Sequence, residues 1–272
     1  MKTKSQKKTK VTIKKSTKRK PLILISNDDG IEALGVNTLA KEISKFAEVI
    51  VAAPHTQQSG TGHALTVANL LRATEIYKGK KFFGYAIEGT PADCVKLAVT
   101  TLLKNRKIDL CISGINHGAN TAINIIYSGT VSAATEATIL GIPSMAVSLG
   151  SFTFMDFTPA AKFAAKMAKI VLQKGLPKGT LLNINLPAVP EKKIKGVLLT
   201  KQGKSDWDDY YEKRFDPNKK PYYWLIGDHV LSDTTNDLDH KAIMENYISI
   251  TPIHYDLTDY RMLDELAGWN LK

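Results

Sequence analysis

Short apolar segments alternate with longer segments of helical periodicity along most of this chain. The apolar segments have the length of strands and are apolar throughout most of that length, which is typical of strands covered on both faces of a sheet. They are residues 22–26, 48–53, 108–113, 142–149 and 180–187. The segments between them repeat apolar residues at the spacing of an amphipathic helix. This alternation predicts an α/β fold, with a doubly wound (Rossmann-like), mostly parallel sheet.

One of the helical segments has a clear start signal. Thr90 is an N-cap residue by type, Pro91 suits the first helical position, and Asp93 stands three residues after the cap. We therefore predict a helix over residues 90–103. Further helices are predicted at residues 36–47, 131–140 and 158–175.

The periodicity is lost beyond Pro187. Residues 201–260 are rich in Tyr, Trp, Asp and Lys, and only the stretch "YISITP" near their end alternates like a strand. A segment of this length is too long for a plain loop. We predict an α/β core over residues 21–186. Residues 187–272 are predicted to form a C-terminal β-hairpin and an extended oligomerisation arm, part of the same domain or exchanged between subunits.

The net charge of +11 is concentrated at the N-terminus. Residues 1–20 contain ten Lys or Arg and no acidic residue, which leaves 27 basic and 26 acidic residues from Pro21 onward. The tail lacks the apolar residues that offset the entropy of ordering, so it is predicted to be a disordered basic arm. Contact of this arm with nucleic acid or anionic lipid is one interpretation, and a solvated arm is the favoured one.

Membrane insertion and a disulfide framework are both disfavoured by composition. No stretch approaches the roughly 18 uninterrupted apolar residues of a membrane span. Cys94 and Cys111 are the only cysteines, and both stand within apolar segments, as small core residues do. We expect a cytoplasmic protein without a membrane partner.

Polar loops follow three of the predicted strands. The first begins with Asn27, Asp28 and Asp29, the second contains Ser59, and the third runs from Asn116 through the segment 117–130. Each loop alone is better interpreted as a turn or a helix cap. However, the carboxyl ends of parallel strands meet at one edge of a sheet, where ligands bind in open α/β folds.

The side chains in these loops favour a hard cation. Two adjacent carboxylates repel each other unless a cation or a proton lies between them. Carboxylate, hydroxyl and amide oxygens suit Mg²⁺, Mn²⁺ or Ca²⁺, and no Cys/His cluster offers a zinc site. A cation beside a helix N-terminus is also a suitable place for a phosphate group. No Walker A or G-x-G-x-x-G motif occurs, so nucleotide binding of those types is disfavoured.

Together these motifs resemble the SurE (survival protein E) family of nucleotide phosphatases. The matching pieces stand in the family's order and cover nearly all of the chain after the tail. They are "ILISNDDG" (23–30), "AP…QSG…LT" (53–66), "GTPADCV" (89–95), "SGINHGAN" (113–120), "IYSGTVSAA…GIP" (126–143) and "YISITPIHYDLTDY" (247–260). The chain departs from the family at Gln58, where a basic residue is usual.

The resemblance implies a metal-dependent 5′-nucleotidase that acts on nucleoside 5′-monophosphates, with 3′-nucleotides and short polyphosphate as further substrates. It implies one divalent cation per subunit, Mg²⁺ or Mn²⁺, with Ca²⁺ as a substitute in crystals. It also implies a homodimer or homotetramer. The metal ligands that it implies are Asp28, Asp29, Ser59 and Asn116. The phosphate-binding residues that it implies are Asn120, Ser128, Gly129 and Thr130.

From these residues we hypothesise metal-assisted hydrolysis of a phosphomonoester. Asp28 and Asn120 are the catalytic candidates. Asp28 orients or deprotonates the attacking water, or attacks the phosphate itself, while Asn120 holds phosphate oxygens. The enzymatic alternatives are a polyphosphatase and a phosphatase for esters other than nucleotides. The non-enzymatic alternative is a nucleotide sensor or an RNA-binding protein that uses the basic tail.

Overall fold

The described residues form one large sheet flanked by helices on both faces, together with a separate hairpin. The computed structural model describes residues 19–231, 235 and 237–271. The strands, in chain order, are β1 (Leu22–Ser26), β2 (Glu48–Pro54), β3 (Ala73–Lys78), β4 (Lys81–Ile87), β5 (Leu110–His117), β6 (Ser144–Leu149), β7 (Thr180–Leu186), β8 (Gly196–Leu199), β9 (Ser205–Phe215), β10 (Pro221–Leu231) and β11 (Tyr247–His254).

The helices alternate with the strands of the core, as the sequence predicts. They are α1 (Leu34–Ile43), α2 (Pro91–Leu97), α3 (Asn124–Tyr127), α4 (Gly129–Ile139), α5 (Thr158–Lys174), α6 (Asp239–Met244) and α7 (Tyr260–Leu266). A π-helical turn over Ala98–Leu102 extends α2, and a short 3₁₀ turn covers Glu191–Lys193. Thr90 forms the predicted capping box with Asp93 at the start of α2. None of the described helices combines the length and the apolar character needed to cross a bilayer.

The large sheet has nine strands in the order β3-β4-β2-β1-β5-β6-β7-β11-β8. Its centre is parallel from β4 to β7, and the antiparallel pairs of this nine-stranded sheet are β3 with β4 and β7 with β11. The chain adds β2 on one side of β1 and later adds β5 on the other side. The strand order therefore reverses at β1 and β5, the point where open α/β sheets bind ligands. The predicted α/β fold is confirmed.

Both faces of the central strand are buried in separate apolar layers. Ile23 and Ile25 pack with α1 and α5 on one face, whereas Leu22 and Leu24 pack with α2 and α4 on the other. Every residue of β1 is buried. The alternation of the side chains over two cores explains why the strand is apolar throughout rather than at every second position.

The strand pair β3–β4 was not predicted from the sequence. It extends the sheet beyond β2, and β3 is exposed along almost its whole length. An exposed edge strand does not need apolar residues at regular intervals, which is why periodicity did not indicate it. Helix α1 also differs from the predicted residues 36–47, since it begins at Leu34 and ends at Ile43.

The C-terminal region contains the predicted β-hairpin. Strands β9 and β10 pair antiparallel from Ser205 with Leu231 to Phe215 with Pro221, apart from the nine-stranded sheet. Strand β11 then returns to the large sheet between β7 and β8. Part of the region after residue 187 therefore completes the core sheet, while the hairpin stands apart from it.

The predicted basic tail lies outside the described residues as far as residue 18. Arg19 donates hydrogen bonds of 2.8 and 2.6 Å to the Asp109 carboxylate. The same carboxylate accepts a hydrogen bond of 2.8 Å from the backbone N–H of Leu22. These contacts fasten the chain at the amino end of β1.

Candidate active site

A cleft opens at the carboxyl edge of the sheet, where β1 and β5 end. Its volume is about 830 Å³. Five of the predicted site residues line it, namely Asp28, Ser59, Asn116, Asn120 and Ser128. The other three, Asp29, Gly129 and Thr130, do not belong to the lining, but each of them contacts a residue that does. The structure thus brings together the loop after β1, the loop after β2, the end of β5 with the loop that follows it, and the start of α4.

The loop after β1 is shaped by its own hydrogen bonds. The Asn27 amide donates to the backbone oxygen of Gly30 at 3.0 Å, which closes the turn. Gly30 has φ +100°, a conformation that other residues rarely adopt. The next residue, Ile31, donates its N–H to the Pro54 carbonyl at 3.0 Å. The turn therefore directs Asp28 and Asp29 to the edge of the sheet.

Asp28 is almost fully buried, with 5% of its surface exposed. The Thr130 hydroxyl donates to its Oδ1 at 2.5 Å, and its backbone oxygen accepts the Gln58 N–H at 2.7 Å. The pKa of Asp28 is raised from the usual 3.8 to about 6, mainly by burial. The Thr130 hydrogen bond opposes that rise in pKa, and the charge of Asp29 adds to it.

Asp29 is held from two sides. The backbone N–H of His117 donates to its Oδ2 at 3.2 Å, and the Gln57 amide approaches its Oδ1 at 3.5 Å. Burial raises the pKa of Asp29 as well. The Gln57 amide also donates to the Ser59 hydroxyl oxygen at 2.9 Å, so one side chain connects Asp29 with Ser59. Gln57 was not identified from the sequence, because a polar residue in a polar loop carries no distinguishing pattern.

Asn116 presents an oxygen at the end of β5. Its amide nitrogen donates to the Gly118 carbonyl at 2.9 Å, and the side chain is buried. This hydrogen bond uses the nitrogen and so assigns the amide oxygen as the group available to a ligand. The residue lies in the wall of the same cleft as Asp28 and Ser59.

These residues fit a hard divalent cation. Burial raises the pKa of both neighbouring carboxylates, and a cation bound between them would offset the cost of burying their charges. In the part of the chain that the structure describes, no three His, Cys, Asp or Glu side chains converge. A metal here must therefore use hydroxyl and amide oxygens besides the two carboxylates, which is the donor set of Mg²⁺, Mn²⁺ or Ca²⁺ rather than Zn²⁺.

Asn120 is fixed by side chains from β6 and β7. Its amide nitrogen donates to Ser148 Oγ at 2.8 Å, and its backbone N–H donates to Asn185 Oδ1 at 2.8 Å. Its carbonyl accepts hydrogen bonds from Asn183 at 2.8 Å and from Asn185 at 3.1 Å. All three supporting side chains are completely buried. The backbone and the side chain of Asn120 thus both have a defined orientation at the cleft.

The sequence contained a signal for this support that our interpretation missed. Asn183 and Asn185 interrupt the apolar strand "TLLNINLP" at positions two residues apart, and such positions share one face of a strand. Two buried amides on one face need partners. That requirement would have indicated a polar loop that is hydrogen-bonded to these two amides at this end of the sheet.

The start of α4 approaches Asp28 closely. Ser128 is the N-cap residue, and its hydroxyl accepts the Val131 N–H at 3.0 Å. A Cβ atom on Gly129 would lie 2.8 Å from the Cβ of Asp28 and 2.9 Å from Cγ of Pro91. Only glycine fits between these two neighbours. The first turn of α4 therefore lies directly beside the aspartate, and its N-cap residue Ser128 lines the cleft.

Contacts with the buried carboxylate of Glu136 anchor the loop that carries Ser59. The Glu136 side chain, 2% exposed, accepts a hydrogen bond of 2.7 Å from Lys96 and lies 2.9 Å from His63 Nε2. His63 belongs to the Ser59 loop, Lys96 to α2 and Glu136 to α4. Burial raises the pKa of Glu136, but the hydrogen bonds from His63 and Lys96 outweigh this effect and leave the pKa below its usual value. Glu136 and Lys96 were not singled out from the sequence.

Comparisons with known proteins agree on one family. Residues 23–209 match the family model described as "Survival protein SurE". A protein named 5′-nucleotidase SurE from Chlorobaculum tepidum is 47% identical over 254 residues, which cover 93% of this chain and 96% of that protein. Another of the same name, from Syntrophobacter fumaroxidans, is 47% identical and covers 92% and 99% of the two chains.

A solved structure agrees with these relatives. The crystal structure of SurE protein from Aquifex aeolicus matches with a TM-score of 0.78 and 38% identity, and the match covers 90% of this chain and 98% of that one. The resemblance found in the sequence motifs is confirmed by these matches, which together cover nearly the whole chain after the tail. This chain belongs to the survival protein SurE family.

Proposed function

We propose that this chain is a 5′-nucleotidase that hydrolyses nucleoside 5′-monophosphates to nucleosides and inorganic phosphate with the help of a divalent cation. The observation that carries the proposal is the pair Asp28 and Asp29 after β1, of which Asp28 lines a large cleft beside the N-terminus of α4. A phosphate dianion would be repelled by these carboxylates unless a cation lay between them. The names of the relatives support the same activity.

Four oxygen donors are available to one Mg²⁺ or Mn²⁺ per subunit, with Ca²⁺ as an alternative of the same chemistry. They come from Asp28, Asp29, Ser59 and Asn116. When bound, the cation supplies charge that offsets the phosphate and favours ionisation of a water molecule. Metal dependence is general in this family of 5′-nucleotidases, and the choice of cation and its stoichiometry are part of the proposal.

The other site residues act on the phosphate group. Asn120 and the turn Ser128–Gly129–Thr130 provide amide, hydroxyl and backbone N–H donors to the phosphate oxygens. The Ser148 and Asn185 contacts hold Asn120 before substrate binds, so little reorganisation is needed. The Thr130 hydroxyl is already bonded to Asp28, so Thr130 contributes its backbone N–H to phosphate.

We propose that Asp28 orients or deprotonates the attacking water molecule. Its Oδ1 accepts the Thr130 hydrogen bond, which orients the carboxylate toward the cleft. An ionised carboxylate held in this orientation can accept a proton from a water molecule in the cleft. Direct attack by the carboxylate is the competing role. The residues assigned to the phosphate group do not contact the nucleobase in this proposal. We therefore propose 3′-nucleotides and short polyphosphate as further substrates.

Phosphate release from AMP with Mg²⁺, Mn²⁺ or EDTA tests this function. We expect turnover with either cation, none in EDTA, and recovery when the cation is returned. The variant D29N should lose turnover with either cation, because one ligand oxygen and one negative charge are removed. Full activity in EDTA would overturn the proposal. Residues 1–20 are proposed to be dispensable, and loss of phosphate release on their deletion would instead favour a role of the tail in the reaction.

We also propose a homodimer or homotetramer in the cytoplasm. Both faces of the hairpin expose large apolar side chains, an unusual amount for a surface that stays in water. They include Tyr211, Phe215, Tyr223, Trp224 and Leu225, each more than half exposed in the single chain. Cys94 and Cys111 are buried free thiols, as a reducing compartment allows.

A further inference from the structure

Tyr127 and Phe152 are exposed aromatic residues in the lining of the cleft. Tyr127 ends α3, and Phe152 lies in the segment that follows β6. Phe152 is the more exposed of the two, with 79% of its surface open to solvent against 55% for Tyr127. Ligand pockets combine apolar and aromatic walls with a few polar groups that fix the orientation of the ligand. Phe152 therefore suits the apolar part of a ligand whose charged part lies among the polar residues of the cleft.

The loop that carries Phe152 is held at both of its ends. On one side, Gly150 donates its N–H to the Leu186 carbonyl at 2.8 Å. On the other side, Phe154 packs against the apolar core. Between them, Ser151 Oγ accepts the N–H of Phe154 at 3.0 Å. The backbone on either side of Phe152 is thus fixed, so its exposed ring is presented at a defined position.

The ring of Phe152 lies against Gly118. A Cβ atom on Gly118 would lie 2.5 Å from Cε1 and 2.6 Å from Cζ of Phe152, so any other residue at position 118 would displace the ring. The Gly118 carbonyl also accepts the Asn116 amide at 2.9 Å. Gly118 stands midway in the chain between Asn116, a proposed metal ligand, and Asn120, a proposed phosphate-binding residue. The ring is therefore placed directly beside the part of the cleft that we assign to metal and phosphate.

Further apolar side chains lie beside the Phe152 loop. A Cβ atom on Gly150 would lie 3.0 Å from Cγ2 of Ile243 and 3.9 Å from Cβ of Ala119. Both of these residues line the cleft, as Gly150 and Phe152 do. The apolar part of the lining thus extends from the Phe152 loop to α6. Such a surface is unsuited to a phosphate dianion and suited to a flat, weakly hydrated ring.

We propose that the nucleobase of the substrate stacks on the Phe152 ring, so that the cleft favours nucleoside monophosphates over phosphomonoesters that lack a base. The inference rests on the proposed function and names the residue that sets this preference. A benzyl side chain has no hydrogen-bonding group, and every nucleobase presents a flat face to it. The contact therefore selects nucleotides as a class rather than one particular base.

The test compares AMP with ribose 5-phosphate, which has the same sugar and phosphate and no base. In F152A we expect kcat/KM for AMP to fall about tenfold, mainly through KM, and kcat/KM for ribose 5-phosphate to keep its wild-type value. F152Y and F152W retain a flat ring and should restore the value for AMP. GMP, CMP and UMP should also lose activity in F152A. A loss confined to one base would contradict stacking, because stacking does not read the edge of the base.

Y77A is a matched control, since Tyr77 is 54% exposed and does not line the cleft. That variant should keep the wild-type ratio of kcat/KM for AMP to that for ribose 5-phosphate. An unchanged ratio in F152A, or an equal fall for both substrates, would overturn the inference. A fall of the ratio in Y127A but not in F152A would overturn it as well, since the base would then lie on Tyr127.

Calorimetric binding separates this inference from the proposed function. AMP and ribose 5-phosphate are titrated into the wild type and F152A in the presence of Mn²⁺. If the wild type binds AMP but releases no phosphate, the proposed function fails, while the ratio of the two dissociation constants still tests Phe152. We expect F152A to lose about tenfold of the preference for AMP in binding. An equal preference in the two proteins would show that the base does not lie on this ring.

Discussion

The Thr130 hydroxyl donates a hydrogen bond of 2.5 Å to Asp28 Oδ1, and both residues are buried. Through this contact the first turn of α4 orients the carboxylate that ends β1. The contact also gives Asp28 a partner for its ionised form, which opposes the rise of its pKa. Thr130 therefore affects both the charge and the orientation of Asp28, the proposed metal ligand.

The variant T130V tests this relationship. Valine has nearly the same shape and lacks the hydroxyl, so Asp28 loses its donor while the packing is kept. We expect affinity for Mn²⁺ and kcat for AMP each to fall about tenfold, as is usual for loss of a residue that supports a ligand. Calorimetry and phosphate release measure the two effects. T135V makes the same change farther along α4, where the hydroxyl bonds only the Val131 carbonyl, and should leave both quantities unaltered.

Gly129 is the second contact between α4 and Asp28. In G129A the new methyl group would meet Asp28 and Pro91 at less than 3 Å, so the aspartate or the helix must move. We expect the free energy of unfolding to fall by about 1–3 kcal/mol and phosphate release to fall further than in T130V. G268A is the control, because a Cβ there meets nothing closer than 3.4 Å. Wild-type activity in G129A would show that Asp28 needs no fixed position.

Asn185 holds the backbone of Asn120, which is one of the proposed phosphate-binding residues. In N185A the Asn120 N–H loses its partner at 2.8 Å and stays buried, which costs about 1–3 kcal/mol. We expect a lower melting temperature and about a tenfold loss of kcat/KM for AMP, with weaker inhibition by inorganic phosphate. N37A removes an amide that bonds the backbone just before α1 and the Lys78 side chain, does not line the cleft, and should change none of the phosphate-related values.

Glu136 should make stability depend on pH. Its pKa in the folded protein lies below the usual 4.5, so the ionised form stabilises the fold above pH 4.5, and this contribution is lost as the pH falls through the folded pKa. We expect E136Q to be less stable than the wild type by about 2 kcal/mol at pH 7 and the difference to shrink below pH 4.5. Urea unfolding over this range measures it.

The control for Glu136 is E191Q. Glu191 pairs with Lys162 at 2.8 Å, but both side chains are more than half exposed. Exposed pairs contribute at most about 1 kcal/mol, so this variant should differ little from the wild type at any pH. A constant difference for E136Q across the pH range would show that packing, not charge, holds the Ser59 loop.

The proposed assembly can be tested by substitutions on one exposed face of the hairpin β9–β10. Tyr211 and Leu225 are paired in register and lie on one face of β9 and β10, each more than half exposed. The double variant Y211E/L225E places two charges where a subunit interface would bury apolar surface. We expect light scattering to show a smaller particle than the wild type at equal concentration. An unchanged mass would place the interface elsewhere.

The core of the fold could be predicted because its signal is local. Strand β1 begins and ends as predicted at residues 22–26, since each of its side chains is buried in one of two apolar layers. The capping box of α2 was equally readable, because all of its atoms lie within four residues. By contrast, β3 is exposed at the edge of the sheet and carries no such pattern.

The candidate site was predictable only in part, because only some of its contacts are local in the sequence. The residues that line it follow strand ends, and parallel strands bring those ends together. Their supports depend on contacts between distant segments, such as Asn185 with Asn120 and Asp239 with Ala122, which are 65 and 117 residues apart. No local pattern reports which buried polar side chain will meet which loop. The roles assigned to the eight site residues stay predictions until the variants are measured.

The Arg19–Asp109 contact has a consequence for handling the protein. It fixes Arg19 at the amino end of β1, whereas the cleft opens beyond the carboxyl end of that strand. A strand of five residues separates the two by roughly 17 Å. In a chain shortened to begin at Arg19, a resin, a dye or a fusion partner attached to that residue therefore joins the molecule at the amino end of β1, and an immobilised enzyme would present its cleft to the passing solution.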